Sequence, residues 1–174
     1  MTASEGCDAV LFDRDGTLVV DVPYNGDPGR VLPVPSARRA VDLARGRGIA
    51  VGVVTNQSGV ARGLITVDEV VAVNDRVDEL LGPFDTWQVC PHGVADGCPC
   101  RKPKPGMVLA AAAELGLPPH RITVIGDIGA DAEAGLSAGA RAILVPTAET
   151  RREEIDAAPE VAPDVVAAVE MALR

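Results

Sequence analysis

Five short apolar segments alternate along this chain with longer segments of mixed polarity. An uninterrupted apolar run of four to six residues is typical of a strand that is covered on both faces. The pattern therefore predicts a buried strand at residues 9–12 and further strands at 49–54, 87–90, 122–126 and 142–145.

The segments between these strands carry helix signals. Ser36 is a candidate cap for a helix to about residue 48, and the capping-box pair Thr66 and Glu69 begins a second helix to about residue 81. Further helices are predicted at 107–115 and 130–138. Alternating strands and helices predict a Rossmann-like α/β fold, a parallel sheet flanked by helices.

The alternation of strand and helix patterns becomes less regular towards the end of the sequence. Residues 151–162 are charged and interrupted by proline, which predicts irregular structure. Residues 164–174 fit either a short strand followed by a helix or a single docking helix. With 174 residues, we expect one domain, 1–174, because two domains would each have a small core.

Composition and charge limit the classes of function that this chain could have. Hydrophobic residues make up 47% of the chain but aromatic residues only 2%, so the core must consist of aliphatic side chains and alanine. A formal net charge of −9 disfavours nucleic acid, whose phosphates attract basic proteins. No apolar run is long enough for a membrane span, and residues 1–6 lack the regions of a signal peptide. We expect a cytoplasmic monomer.

Polar side chains follow three of the predicted strands. Asp13, Asp15, Thr55 and Asp127 all come where a strand ends, and such ends share one edge of a parallel sheet. Asp13 and Asp15 point the same way in an extended segment, and a pair of close carboxylates favours a hard cation such as Mg²⁺. Individually these residues also fit an acidic turn, a turn hydroxyl and a helix cap. Lys102 lies between prolines that restrict the backbone.

Three cysteines and one histidine fall within eleven positions, at Cys90, His92, Cys98 and Cys100. Three thiolates and an imidazole are a common ligand set for tetrahedral zinc. Because protein would fill all four positions, we expect a structural ion that folds this loop and fixes the residues after it. The alternatives are unconnected thiols or a Cys-x-Cys redox pair. Cys7 stands apart before the first strand and is predicted to be a small residue that is either buried or partly exposed.

Together these motifs resemble those of the haloacid dehalogenase superfamily of phosphatases. Residues 13–17, Asp-Arg-Asp-Gly-Thr, are similar to its first motif, and Thr55 and Lys102 to its second and third. Asp127 with Asp131 is similar to its fourth. The resemblance covers nearly the whole chain.

The resemblance implies a reaction in two steps. Asp13 would take the phosphoryl group as an aspartyl-phosphate, and Asp15 would act first as acid and then as base. Mg²⁺ would be held by Asp13, the backbone carbonyl of Asp15 and Asp127. Positive charge is required because a carboxylate must approach a phosphate dianion.

The remaining motif residues receive supporting roles from the same resemblance. Lys102 would add a second positive charge, while the Thr55 hydroxyl and backbone donors near Asn56 would position phosphoryl oxygens. Asp131 would order metal-bound water from behind the ligands.

The cysteine loop resembles one branch of this superfamily, which contains heptose bisphosphate and histidinol-phosphate phosphatases. Its pattern is Cys-x-His, then Cys-x-Cys-Arg-Lys-Pro, and residues 54–63 are also similar to that branch. The resemblance implies that Arg101 and the loop containing Asp21 and Tyr24 contact the substrate. A sugar bisphosphate is the expected substrate, with histidinol phosphate as the alternative.

Two features depart from that branch. Ile128 stands where a lysine often follows the fourth-motif aspartate, and residues 20–28 lack the usual glycine-tyrosine pattern. No long insertion follows the first motif, which predicts a minimal cap and a substrate enclosed by loops.

Two other classes of protein share some of these features. A signalling receiver domain also combines a parallel sheet, Mg²⁺, a phosphorylated aspartate, a threonine and a lysine, but its acceptor lies on a later strand. An interaction module held by zinc would leave Asp13, Asp15 and Asp127 without a purpose.

Overall fold

A computed structural model describes residues 6–174 and contains a five-stranded parallel sheet. The predicted fold class is confirmed. Its strands are β1 (Ala9–Phe12), β2 (Ala50–Asn56), β3 (Thr86–Cys90), β4 (Ile122–Gly126) and β5 (Arg141–Leu144). They lie in the order β3-β2-β1-β4-β5. The first strand is therefore central, and the direction of winding reverses between β1 and β4. Ligands of open α/β sheets bind at such a reversal.

Six α-helices connect and flank the strands. They are α1 (Ala37–Gly46), α2 (Val67–Leu81), α3 (Gly106–Leu115), α4 (Gly129–Ala138), α5 (Arg152–Ala157) and α6 (Val165–Ala172). Single turns of 3-10 helix occur at Pro28–Arg30, Val94–Asp96 and Pro119–Arg121. No helix among residues 6–174 has the length and apolarity needed to cross a membrane.

The core has two layers, one on each face of the sheet. Val10 and Phe12 of β1 point into the layer that includes α1 and α6. Ala9 and Leu11 point to the other side, where α3 and α4 cover the sheet. Alternation along one buried strand thus divides the side chains between the two layers. Alanines on α1, α3, α4 and α6 allow close packing with few aromatic rings.

Helix starts follow the sequence signals in one case and not in the other. Thr66 and Glu69 form the predicted capping box: the Glu69 amide donates to the Thr66 hydroxyl at 3.1 Å and the Thr66 amide donates to Glu69 at 2.7 Å. Ser36 precedes α1 but its side chain makes no capping hydrogen bond, so that prediction was wrong. Its backbone is already helical, and in that conformation the hydroxyl does not face the free amides of the first turn.

The end of the chain closes one edge of the sheet. The segment expected to be irregular contains α5, and beyond it the Glu160 carbonyl accepts from the Leu144 amide at 2.9 Å. The Ala162 amide donates to the Leu144 carbonyl at 2.8 Å, so these residues cover β5. Asp164 then caps α6, which packs on the core as the single docking helix that was one of the two alternatives.

The connection between β1 and α1 consists of loops and turns. Residues 13–36 contain one 3-10 turn and pair locally where Val19 meets Asp15 and Pro33. In this part of the described chain there is no separate cap domain, which agrees with the predicted minimal cap. Gly26 lies against the Glu69 side chain, so this loop packs on the start of α2.

Candidate active site

The ends of three strands bring the predicted chemistry together. Asp13 directly follows β1, Thr55 is the last residue but one of β2, and Asp127 directly follows β4. The Asp13 amide donates to the Ile125 carbonyl at 2.9 Å, which keeps its backbone tied to β4. Asp13 and Asp127 therefore flank the reversal between β1 and β4.

Lys102 is the buried cation of this site. It is only 4% exposed, and its Nζ donates to Asp13 Oδ1 at 2.9 Å, to Asp131 Oδ1 at 2.6 Å and to the Val54 carbonyl at 2.9 Å. All three ammonium protons thus have acceptors. Burial alone would lower the pKa of Lys102, but the charges of Asp13 and Asp131 raise it above its usual range. The side chain stays charged.

Asn56 holds the backbone of Lys102. Its Oδ1 accepts from the Lys102 amide at 3.1 Å and its Nδ2 donates to the Lys102 carbonyl at 3.2 Å. The sequence predicts that backbone donors near Asn56 bind phosphoryl oxygens. The Asn56 side chain is instead committed to Lys102, whose loop has no strand partner to fix it. Binding through backbone donors near Asn56 stays a prediction.

Asp131 lies behind the other acidic residues and is 1% exposed. Its Oδ1 pairs with Lys102, and its Oδ2 accepts from the amides of Asp127 and Ile128, each at 3.1 Å. It therefore orients both the lysine and the loop after β4. Its predicted role in ordering metal-bound water stays a prediction. Ile128, 36% exposed, contributes its amide to this arrangement.

Asp15 projects beside the buried cluster. Gln57, which sequence reasoning missed, links it to Thr55: Gln57 Nε2 donates to Asp15 Oδ2 at 3.0 Å and to Thr55 Oγ1 at 2.8 Å. The sequence signals for Gln57 are its place two residues beyond Thr55 and its position within residues 54–63, which are similar to one branch of the superfamily. Its amide donates to the Cys90 carbonyl at 2.7 Å, which also joins β2 to the cysteine loop.

Two threonines that were not assigned to the site hold Asp127 in place. Thr17 Oγ1 donates to Asp127 Oδ1 at 3.1 Å, and Thr150 Oγ1 donates to the Asp127 carbonyl at 2.6 Å. Thr17 belongs to the first motif. Thr150 comes from the segment before α5, and no spacing in the sequence places it here.

The acidic residues are crowded and incompletely neutralised. Burial, the charges of Asp131 and Asp127, and a weaker one from Asp15 raise the pKa of Asp13 well above its usual range, although Lys102 opposes this. Burial, followed by the charge of Asp131, raises the pKa of Asp127 to about 6. One ammonium group faces three carboxylates, so the cluster favours an additional cation.

The donor set fits Mg²⁺. Asp13 and Asp127 each offer a carboxylate oxygen, and these atoms lie within 4.8 Å of one another and of an oxygen of Asp131, which is itself bound to Lys102 and to backbone amides. Hard divalent cations prefer such oxygen ligands. Gly16 has φ of +84°, and a Cβ there would lie 2.3 Å from Asp127 Oδ2. Only glycine therefore allows the first-motif turn to pass so close to Asp127.

In metal-free buffer we expect the folded state to lose stability as the pH rises from about 4 to 7. The pKa of Asp127 is about 6 in the folded protein against 3.8 ordinarily, so the folded state retains a proton that the unfolded chain releases. The contribution of about 3 kcal/mol is present below pH 4 and is lost as the pH passes 6.

Thermal unfolding between about pH 4.5 and 8, without metal, measures this slope. Asp127→Asn should make the slope shallower but not remove it, because the pKa of Asp13 is also raised. Mg²⁺ should raise Tm more at the upper end of the range than at the lower. Asp156→Asn, in an exposed pair with Arg152, serves as the control and should keep the slope. If the slope is unchanged in Asp127→Asn, the raised pKa of Asp127 does not contribute to the pH dependence of stability.

The predicted substrate loop lies at the rim of the site. Burial, followed by the charge of Asp15, raises the pKa of Asp21. Tyr24 has φ of +52° and packs against Gly59, while Arg62 contacts its hydroxyl and lies 5.6 Å from the ring centroid. The loops after β1 and β2 thus meet through these residues.

The four predicted zinc ligands form a compact cluster. Cys100 Sγ lies 3.0 Å from Cys90 Sγ and 3.3 Å from His92 Nδ1, and Cys90 Sγ lies 3.7 Å from Cys98 Sγ. All the cysteines are free, and these sulfur separations exceed a disulfide bond of about 2 Å. Edges of a tetrahedral zinc–thiolate site are roughly 3.7 Å for bonds of 2.3 Å. The cluster fits a metal ion.

Arg101 follows the cluster and turns back to it. Its Nη1 donates to the His92 carbonyl at 3.3 Å, and its amide donates to Cys98 Sγ at 3.4 Å. A cavity of about 360 Å³ lies between this loop and Lys102, and Arg101 and Lys104 also line it. Arg101 and Lys104 therefore contribute cationic side chains to the wall of this cavity, while the Lys102 ammonium is taken up by Asp13 and Asp131.

Removing the metal of this loop should lower stability and weaken substrate binding more than catalysis. Because Asn56 holds Lys102 independently, we expect treatment with a chelator, or Cys98→Ser, to lower Tm and to raise KM for a sugar bisphosphate more than for p-nitrophenyl phosphate. The untreated protein should contain about one zinc per chain. Cys7→Ser, outside the cluster, should retain the metal. Protein purified without chelators that lacks zinc would overturn the zinc prediction.

Comparisons with known proteins identify the family. A family model for HAD-like hydrolases matches residues 99–170. The D-glycero-beta-D-manno-heptose-1,7-bisphosphate 7-phosphatase of Mesorhizobium japonicum is 42% identical over 143 residues, which span 75% of this chain and 65% of that protein. The enzyme of the same name from Pseudomonas putida is 35% identical over 156 residues, or 87% of this chain and 89% of that protein.

A solved structure shows the same fold. The D,D-heptose 1,7-bisphosphate phosphatase from B. bronchiseptica, complexed with magnesium and phosphate, superposes with a TM-score of 0.84 at 30% identity. The match covers 94% of this chain and 97% of that one. The chain therefore belongs to the haloacid dehalogenase superfamily, and it is a phosphatase similar to the heptose 1,7-bisphosphate phosphatases.

Proposed function

We propose that this phosphatase hydrolyses D-glycero-D-manno-heptose 1,7-bisphosphate with Mg²⁺, through an aspartyl-phosphate on Asp13. One observation carries the mechanism: Asp13 lies in a buried cluster with Lys102 and Asp127, next to Asp15. A nucleophile, a fixed cation, a metal-compatible carboxylate and a candidate acid therefore share one edge of the sheet. The relatives named above support the substrate.

In the first step, a carboxylate oxygen of Asp13 attacks phosphorus and the bond from phosphorus to the ester oxygen breaks. Asp15 gives its proton to that oxygen, and the alcohol leaves. Lys102 offsets the repulsion between the Asp13 carboxylate and the phosphate dianion, and its charge also stabilises the transition state. The Thr55 hydroxyl contacts a phosphoryl oxygen.

In the second step, water attacks the phosphorus of the aspartyl-phosphate. Asp15, now a carboxylate, takes a proton from the water, and the bond from phosphorus to Asp13 breaks. Inorganic phosphate leaves with Asp13 ionised and Asp15 protonated again. Two displacements of lower barrier thus replace one.

Asp13, Asp127 and the backbone carbonyl of Asp15 would hold the Mg²⁺. The ion supplies positive charge that offsets repulsion between the phosphate and these carboxylates. Lys102 and Asp131 keep Asp13 and the Asp127 backbone in place, so the ligand set is organised by the fold.

The cavity beside Lys102 supports a substrate with a second phosphate. Arg101 and Lys104 line it with Lys102, and cationic side chains stabilise a phosphate group. Histidinol phosphate has a single phosphate, so it would leave Arg101 and Lys104 without a phosphate to bind. We also propose that Asp21 and Tyr24 contact the substrate from the opposite loop.

A phosphate-release screen tests the function. It compares both anomers of the heptose bisphosphate with histidinol phosphate and simple sugar phosphates, using the full chain with Mg²⁺. We expect the heptose bisphosphate to give the highest kcat/KM. A preference for histidinol phosphate would overturn the substrate, and a single turnover without further release would favour the receiver-domain alternative.

The same preparation tests the remaining proposals about the molecule. We propose that residues 1–174 act as one domain and as a monomer. Sedimentation should then give one species at the mass of a single chain, 17.9 kDa, and thermal unfolding should show one cooperative transition apart from the metal effects above.

A further inference from the structure

Arg14, between the two aspartates of the first motif, is the largest fully buried side chain of the described residues and is 1% exposed. Arginine is almost never fully buried unless it is paired. Removing a guanidinium from water costs several kcal/mol before any pairing. The fold therefore tolerates this charge only because specific acceptors surround it.

Two residues accept from its guanidinium. Nε donates to Asp15 Oδ1 and Nη2 donates to Asp15 Oδ2, both at 3.0 Å. Nη1 donates to Oδ1 of Asn74 at 2.7 Å. A planar guanidinium that contacts both oxygens fixes the plane of a carboxylate as well as its distance. Asn74, on α2, fixes the guanidinium in turn.

Among the described side chains, these contacts leave one hydrogen-bond acceptor position of the Asp15 carboxylate unused. A carboxylate offers about four acceptor positions. Arg14 uses one on each oxygen, and Gln57 uses a second one on Oδ2. The position that no described side chain occupies is on Oδ1, so a proton can be exchanged there without breaking the pairing.

We propose that Arg14 and Asn74 are positioning residues that aim Oδ1 of Asp15 at the leaving group. This inference rests on the proposed function, in which Asp15 is the acid and base. Asn74 lies sixty residues from Arg14 in the sequence and belongs to no recognised motif. Its part in the reaction follows only from the contact with Arg14.

The test compares a substrate whose leaving group needs a proton from the acid with one whose leaving group does not. In p-nitrophenyl phosphate the leaving phenolate departs without a proton, whereas the alcohol of a sugar phosphate needs one. The value of kcat/KM reports the steps up to departure of the leaving group. A misaligned acid should therefore lower it for the sugar phosphate and spare the aryl ester.

We expect Asn74→Leu to reduce kcat/KM for the best sugar phosphate of the screen by about 10- to 100-fold, since acid–base catalysis contributes 10²- to 10⁴-fold. By contrast, kcat/KM for the aryl ester should fall by less than about threefold. Asn74→Asp, which keeps an acceptor for Nη1, should restore the activity towards the sugar phosphate. Arg14→Lys cannot contact both oxygens and should behave like Asn74→Leu.

Matched variants on the surface of α2 provide the controls. Asp75→Leu is next to Asn74 and exposed, and Arg76→Lys alters an exposed pair with Glu79. Neither variant should change the ratio of kcat/KM for the sugar phosphate to kcat/KM for the aryl ester. Each variant is also checked by thermal unfolding, and Asn74→Ser replaces Asn74→Leu if the latter does not fold.

Asp15→Asn is the reference that distinguishes the two possible failures. If Asp15→Asn separates the esters but the Asn74 and Arg14 variants reduce both equally, or neither, the positioning role is wrong and the proposed function stands. If Asp15→Asn itself lowers both values equally, Asp15 is not the acid and the proposed function fails with the inference.

Discussion

Replacing Asp13 by asparagine should abolish phosphate release, with kcat at least about 10⁴-fold lower, the order of loss seen when a nucleophile is removed from an enzyme. The amide cannot form the aspartyl-phosphate, and no other described carboxylate has the same contact with Lys102 apart from Asp131, which lies behind it. The fold should survive, because the substitution removes a buried carboxylate that other carboxylates repel.

Stability and activity are measured on the same preparation of Asp13→Asn. Without metal at neutral pH, its Tm should match or exceed that of the parent protein, while inorganic phosphate no longer accumulates. Asp42→Asn, in an exposed pair with Arg38 on α1, should keep full activity. Near-normal turnover by Asp13→Asn would exclude Asp13 as the nucleophile.

Replacing Lys102 by methionine should damage both activity and stability. The loss of one preorganised charge at the transition state costs about 3 to 4 kcal/mol, or 10²- to 10³-fold in kcat. In addition, Asp13 and Asp131 lose their buried cation, and removing one partner of a buried pair costs about 3 to 5 kcal/mol of stability.

The stability loss from Lys102→Met should depend on metal and pH. Mg²⁺, or a pH low enough to protonate the carboxylates, reduces the repulsion and should recover part of the Tm but not the activity. Arg152→Met removes a highly exposed cation with one carboxylate partner and is the control. If the Lys102→Met protein is as stable as the parent in metal-free buffer at neutral pH, the buried ion pairs of Lys102 with Asp13 and Asp131 do not stabilise the fold.

Local signals predicted the strands, the order of elements and the residues at strand ends. The first strand and the strand at Ile122–Gly126 have the predicted limits, and most other elements differ by one or two residues. This accuracy follows because both strands are fully buried and their largely apolar sequences leave few alternatives. The short helix Arg152–Ala157 was missed because its charged sequence has no apolar face to mark it.

Contacts between distant segments could not be predicted in this way. A charged residue such as Arg14 is expected at the surface, and nothing near it in the sequence indicates that Asn74 will provide an acceptor. Thr150 reaches the Asp127 carbonyl from another connection. The sequence motifs indicate which groups react, whereas the residues that orient them depend on how helices and loops pack.

The two hydrogen bonds between Asn56 and the Lys102 backbone have a consequence for divergence within the family. They fix the lysine from β2, at the end of the cysteine loop rather than through it. Residues 91–99 can therefore change length or sequence without moving the ammonium group away from Asp13. Substrate preference can evolve in that loop while the machinery of phosphoryl transfer is inherited unchanged.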